Sequence, residues 1–173
     1  LIALTMLSLL PMVLAVNADV PANNLAEFVA YAKRNPAKMN YGNPGSGSIN
    51  HLNMEMLRHF SGAPMTAVPY KGHSAAAVAV ANGEVTAAAG DIASFRAFGP
   101  APAGNGKVRF LATFSPTRAQ ALPDVPTLAE AGFRDLKPVV GWVGAFVPAN
   151  TPAPIVNRLH AGLAEVLQLP EVR

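Results

Sequence analysis

The chain has 173 residues, 51% hydrophobic and 13% charged, with a net charge of +3 and no cysteine. That is enough apolar chain for one well-buried globular core, and it excludes disulfides, thiolate chemistry and cysteine metal sites. The positive charge is small and unclustered and aromatics are only 7%, so neither the basic stripe nor the stacking platforms of a nucleic-acid binder are present.

Leu1 to Val16 reads LIALTMLSLLPMVLAV. It is shorter than the ~20 residues that cross a bilayer and lacks the basic start of a leader. Pro11 divides it into two runs of strand length, which predicts two buried strands or one strand with a break. Asn24 is placed to cap a helix, with Glu27 completing a capping box, and Leu25, Phe28, Val29 and Ala32 form its apolar stripe. Pro36 biases Asn35 away from helix. Lys38 to Tyr41 is expected as a short strand leading into a glycine-rich turn, Tyr41-Gly42-Asn43-Pro44-Gly45-Ser46-Gly47-Ser48. Ser48 is a natural cap for a helix reaching Phe60. Ile49, Leu52, Met56 and Phe60, at i, i+3, i+7 and i+11, are its expected buried face.

Thr66 to Gly72 reads as a strand delivering a Pro-Tyr-Lys-Gly turn. Ser74 is expected to cap an Ala/Val-rich helix that Asn82-Gly83 terminates. Glu84 to Ala89, small and apolar, suits a strand buried on both faces and ends in Gly90-Asp91. A short helix over Ile92 to Phe98, a turn over Pro100 to Gly106 and a strand over Val108 to Phe114 follow. Thr127 is placed to cap a brief helix ending at Gly132, Val139 to Val147 reads as a strand, and Thr151 is expected to cap a last helix. The apolar face of that helix is Ile155, Val156, Leu159, Leu163, Val166 and Leu167. From 38 to 114 strands and helices alternate, which predicts an α/β domain with a mostly parallel sheet flanked by helices.

Ligands on such sheets sit beyond the carboxyl ends of the strands, where three loops are expected to meet: 42–48, 69–72 and 90–91. The glycines of the first loop let a ligand approach the backbone. The N–H groups and dipole of the following helix favour a carboxylate, phosphate or sulfate. Nucleotide chemistry is disfavoured, because the lysine of a P-loop and the third small residue of a dinucleotide fingerprint are missing. The candidate ligand residues are Asn43, Gly45, Ser46, Gly47 and Ser48, with His51, Lys71, Gly72 and Asp91. His51 either contacts ligand or bonds to a neighbouring loop. Lys71 either faces the anion or solvent. Asp91 either accepts a ligand amine or hydroxyl or caps the segment starting at Ile92. No histidine pair has metal-ligand spacing, so neither a metal nor another cofactor is expected. Binding without catalysis is favoured. The alternative of a small-molecule transferase would need a nucleophile or base in the cleft, for which His51 and Asp91 are the candidates.

Four stretches together carry a family likeness: Tyr41 to Ser48 with His51-Leu52, Val68-Pro69-Tyr70-Lys71-Gly72, Leu122-Pro123-Asp124-Val125-Pro126-Thr127 with Glu130-Ala131-Gly132, and Pro148 to Pro154. In this order the chain resembles the Bug-type periplasmic solute-binding receptors of tripartite tricarboxylate transporters, over essentially its whole length. The resemblance implies a type II periplasmic-binding, Venus-flytrap architecture, with ligand carboxylates held between one loop from each domain. The second-domain loop matches Asn43 to Ser48. The first-domain loop has no counterpart, so the chain is expected to be a fragment lacking the signal peptide and most of the first domain. Residues 1–16 would be crossing strands, 17–142 the second ligand-binding domain, and 143–173 the return crossing. The implied function is periplasmic capture of a small organic acid for delivery to membrane permease subunits, by a protein that is monomeric when intact. A ligand-sensing signalling protein on the same fold is the related alternative.

Overall fold

A computed structural model describes residues 1–100 and 102–172; position 101, inside the expected Pro100–Gly106 turn, and position 173 lie outside them. The strands are β1 (Ile2–Leu10), β2 (Met12–Asn17), β3 (Asn40–Asn43), β4 (Thr66–Pro69), β5 (Ala87–Asp91), β6 (Val108–Phe114) and β7 (Gly141–Val147). The α-helices are α1 (Leu25–Arg34), α2 (Ile49–Ser61), α3 (His73–Ala81), α4 (Ile92–Phe95) and α5 (Ala153–Val166). The chain divides into two compact units, residues 11–140 and residues 1–10 with 141–173.

The larger unit is built on β2, the one strand in which every residue is buried. The sheet order is β4-β3-β5-β2-β6. β3 pairs parallel with β4 and β5, while β2 pairs antiparallel with β5 and β6. Four strands thus run one way and β2 alone runs against them. The sheet is mixed, and the expectation of a mostly parallel one holds for strand direction but not for pairing. The reversal places β2 between two strands that come later in the chain, a position that spacing along the sequence does not encode.

Side chains alternate across a strand, and β2 shows what that does here. Met12, Leu14 and Val16 pack on one face with Leu25 and Phe28 of α1 and Met54 and Leu57 of α2. Val13 and Ala15 pack on the other with Ala77 and Val80 of α3 and Phe95 of α4. Each face has its own core, which is why β2 reads as a continuous apolar run. Met12–Val16 packs in the core of the larger unit, whose limit lies between Leu10 and Pro11.

Local signals placed most helix ends. Asn24 accepts from the Glu27 N–H at 2.9 Å, while the Glu27 carboxylate accepts from the Asn23 N–H. Gly62 ends α2 in the left-handed region that glycine tolerates. Two expected caps are corrected. Helix α3 starts at His73 with Gly72 at the cap position and no side-chain cap bond, so Ser74 lies inside the helix. Helix α5 has Pro152 at its cap position, and the Thr151 hydroxyl donates instead to the Pro148 carbonyl. Thr127 and Glu130 do form their reciprocal pair, yet no helix follows: Thr127 makes an isolated bridge to Thr113 and the chain beyond it turns.

In the smaller unit β1 and β7 form an antiparallel two-stranded ladder, and the His160 Nδ1–H of α5 donates to the Leu4 carbonyl at 2.8 Å. β1 is half-exposed along most of its length, so of the two buried strands expected before Asn17 only β2 is one. Helix α5 buries none of its residues; Ile155, Leu159 and Val166 are exposed. Among the described residues, no helix is long and apolar enough to cross a membrane.

Candidate functional site

The carboxyl ends of β3, β4 and β5 carry the three loops, and hydrogen bonds tie them into one edge. β3 and β4 finish in register, Asn43 opposite Pro69, and the Tyr70 N–H continues the ladder to the Asn43 carbonyl at 2.8 Å. Asn50, buried on α2, donates to the Ala89 carbonyl of β5 at 2.7 Å. His73, the first residue of α3, has Nδ1 3.0 Å from the carboxylate of Asp91, the last residue of β5. A Cβ at Gly42 would meet the Ala76 Cβ at 3.2 Å and the Tyr70 ring at 3.4 Å. That glycine lets α3 and the second loop close onto β3.

Within the first loop the structure separates donors that are spent from donors that remain. The Asn43 side chain accepts from the Gly45 N–H at 2.9 Å, the Gly45 carbonyl from the Ser48 N–H at 3.2 Å, and the Ser48 hydroxyl from the His51 N–H at 3.2 Å. The Gly47 N–H donates to His51 Nδ1 at 3.1 Å. Among the described residues, no acceptor meets the N–H groups of Ser46, Ile49 and Asn50. The free donors are thus one loop amide and two amides of the first helical turn. Gly45 and Gly47 hold φ of +139° and +78°, which side chains disfavour and glycine accepts.

The face of α2 differs from expectation. Leu52 and Phe60 are exposed by 43% and 48%, and the buried residues are Asn50, Asn53, Met54, Leu57 and Ser61. Two asparagines are buried in place of two apolar residues because each finds backbone partners, Asn50 on β5 and Asn53 on Val139. Paired, a buried amide avoids most of its desolvation penalty. Asn50 and Asn53 are the positioning residues that apolar periodicity missed. The sequence signal that could have found them was their own spacing of three on a helix.

His51 Nδ1 accepts from the Gly47 N–H, bracing the turn, and the His51 ring stacks on Tyr41 at 6.2 Å. Tyr41 is buried and its hydroxyl donates to Glu55, which is paired with Arg58. Burial and the Glu55 carboxylate both push the Tyr41 phenol above its ordinary range. The Arg58 bond leads the causes that hold the Glu55 carboxyl below the usual range, against its own partial burial. No acidic residue stands in the first turn of α2, so that end keeps its affinity for anions.

Asp91 fills the capping role expected as its alternative. Its Oδ1 accepts from the Ser94 N–H and its Oδ2 from the Ser94 hydroxyl, both at 2.8 Å. Partial burial pushes its carboxyl up, but the two Ser94 bonds and His73 together hold it below the ordinary aspartate value. Gly72 holds φ +95° at the head of α3, and Lys71 is exposed with no ion-pair partner among the described residues. His51 and Asp91 each have separate partners, Gly47 and His73 with Ser94. Among the described residues no cluster could hold a metal ion.

The fold and edge are those of an α/β domain whose glycine-rich turn and helix start lie at the carboxyl ends of the strands, where ligands of such sheets bind. The profile of the tripartite tricarboxylate transporter family receptor matches residues 1–173, and the chain belongs to that family. It is similar to the "UPF0065 protein in gbd 5'region" of Cupriavidus necator, 36% identical over 160 residues, which is 92% of this chain and 47% of that protein. An adipate-bound protein of R. palustris superposes with a TM-score of 0.87 at 29% identity, over 99% of this chain and 56% of that one. MatC from Rhodopseudomonas palustris, solved with bound malate, gives 0.84 at 30% identity over the same shares. The chain spans about half the length of the curated relatives it matches. The family expected from the motifs is the family found, and it is one of receptors, not enzymes.

Proposed function

We propose that this chain carries one ligand-holding lobe of an extracytoplasmic receptor. That receptor captures a small organic acid and delivers it to a tripartite tricarboxylate-type permease. One observation carries the reading: the unengaged N–H groups of Ser46, Ile49 and Asn50, gathered at the acid-free head of α2, with the exposed Lys71 in the second loop of the same edge. The ligand carboxylate would take these donors, with Asn43, Gly45, Gly47 and Ser48 shaping the turn, His51 bracing it, and Gly72 and Asp91 holding the adjoining loop. Family membership and the carboxylates named with two structural relatives support the same class.

The expected lobes keep their roles with shifted limits. Residues 11–140 form the lobe that holds the ligand, and residues 1–10 with 141–173 belong to the crossing. The intact receptor is monomeric, works in the periplasm and closes around its ligand. The test is a thermal-shift screen of the full receptor chain against mono-, di- and tricarboxylates. An acid at 100 times its Kd stabilises by about 2.7 kcal/mol, a shift of several degrees. A response confined to cations or neutral sugars would overturn the reading.

A further inference from the structure

His51 and His73 both stand in the first turns of helices at the same sheet edge, and each commits Nδ1 to a fixed partner, but in opposite senses. The Gly47 amide can only donate, so His51 Nδ1 offers its lone pair and the ring hydrogen sits on Nε2. The Asp91 carboxylate can only accept, so the hydrogen of His73 sits on Nδ1 and leaves Nε2 with a lone pair in the neutral ring. Asp91 is held ionised at neutral pH by its Ser94 bonds, which keeps this arrangement in force.

The surrounding inventory gives that lone pair its meaning. Free N–H groups, Lys71 and His51 Nε2–H are all donors. The amide and carboxylate side-chain acceptors of these loops are engaged: Asn43 Oδ1 by Gly45, and both Asp91 oxygens by Ser94 and His73. His73 Nε2 is thus a side-chain acceptor with no partner among the described residues, on a side chain 43% exposed. We propose that His73 Nε2 accepts a hydrogen bond from a hydroxyl or ammonium on the carbon chain of the bound acid. The site then prefers donor-bearing carboxylates to plain ones. This rests on the carboxylate reading of the neighbouring turn. His73 would be a specificity residue, and Asp91 its positioning partner.

The probes are succinate, malate and aspartate, which share a four-carbon dicarboxylate and differ at C2 by hydrogen, hydroxyl or ammonium. Calorimetric titration of the full receptor chain is expected to show malate or aspartate binding about tenfold tighter than succinate, the worth of one hydrogen bond. Whichever of the two wins identifies the donor. His73→Phe is expected to erase that ratio while leaving succinate within about twofold. His73→Gln, whose amide can donate to Asp91 and still accept, should keep part of it. Equal affinities for all three acids, or an unchanged ratio in His73→Phe, would overturn this inference and leave the receptor reading standing. No binding by any of the three would overturn this inference and leave the receptor reading to the wider carboxylate panel. Nitrogen-15 spectra of the unliganded protein give a check independent of any variant: the inference requires the Nδ1–H form for His73 and the Nε2–H form for His51, and the reverse for His73 would overturn it.

Discussion

The side chain of Asn53 pairs with both backbone polar groups of Val139, its oxygen accepting from the N–H and its nitrogen donating to the carbonyl, each at 2.9 Å. The two residues lie 86 positions apart, and the pairing imitates one rung of a β-ladder with a helix residue as the partner. Asn53 is fully buried, and its nitrogen also lies 3.6 Å from the sulfur of Met12. The helix with the glycine-rich turn at its head is thereby fixed to the segment that ends the larger unit.

Asn53→Leu keeps the volume and removes the pairing. Two backbone groups and the fit around Met12 are lost together, and part of the loss is recovered by water because Val139 is partly exposed. The expected cost is about 2 kcal/mol. Urea unfolding should show a lower midpoint with an unchanged slope. A midpoint equal to that of the parent chain would mean that the clamp contributes nothing.

Two glycines make opposite predictions under the same substitution. Gly47 holds φ +78° with open space where a Cβ would stand, so Gly47→Ala is strained by backbone conformation alone, at about 1–2 kcal/mol. Gly162 lies inside α5 with nothing within 4 Å of an added Cβ. Gly162→Ala should stabilise by about 0.5–1 kcal/mol. Thermal midpoints should move down for the first and up for the second, and movement in the same direction would refute the conformational argument.

Features decided within a few residues were legible in the sequence. Asn24 with Glu27, Ser48 with His51 and the left-handed Gly62 are local bargains between side chain and backbone, and each is found where the chain order puts it. The three loops could be gathered at one edge because alternation of strands and helices implies it. What the sequence hid is long-range. The burial of Asn50 and Asn53 depends on β5 and Val139, so a rule that counts apolar residues chose Leu52 and Phe60 instead. The His73–Asp91 pair spans 18 residues and joins two loops, and nothing in either loop announces it. The antiparallel entry of β2 likewise follows from pairing with strands more than 70 residues later.

Asp91 should make the fold sensitive to acid. Its folded value lies below the ordinary 3.8, so the native state binds that proton less readily than the unfolded chain does. The stability it supplies is complete above the ordinary value and is lost as pH falls through the lowered one. Asp91→Asn should lower stability at pH 7 and flatten the decline below about pH 4. Residual sensitivity from Glu55 remains, since the Arg58 bond holds it low as well. Denaturation series at pH 7 and across pH 2 to 5 test this, and parallel curves for parent and variant would exclude Asp91 as a source.

Helix α5 leaves Ile155, Leu159 and Val166 exposed by 50%, 42% and 47% along one face, with Pro154 and Leu163 lining the same shallow groove. Monomers seldom show water so continuous an apolar stripe, and the 173-residue chain is expected to associate with itself through it. Light scattering should give a mass that rises with concentration. Leu159→Lys places a charge in the middle of the stripe and should return the mass toward 18.0 kDa. Because Leu159 touches no buried core, the substitution should leave the unfolding midpoint of a dilute sample within about 0.5 kcal/mol of the parent. A chain already monomeric at high concentration would show that the groove is too narrow to recruit a second copy. A Leu159→Lys variant that still associates would place the contact elsewhere, with the exposed Leu52 and Phe60 of α2 as the next surface to alter.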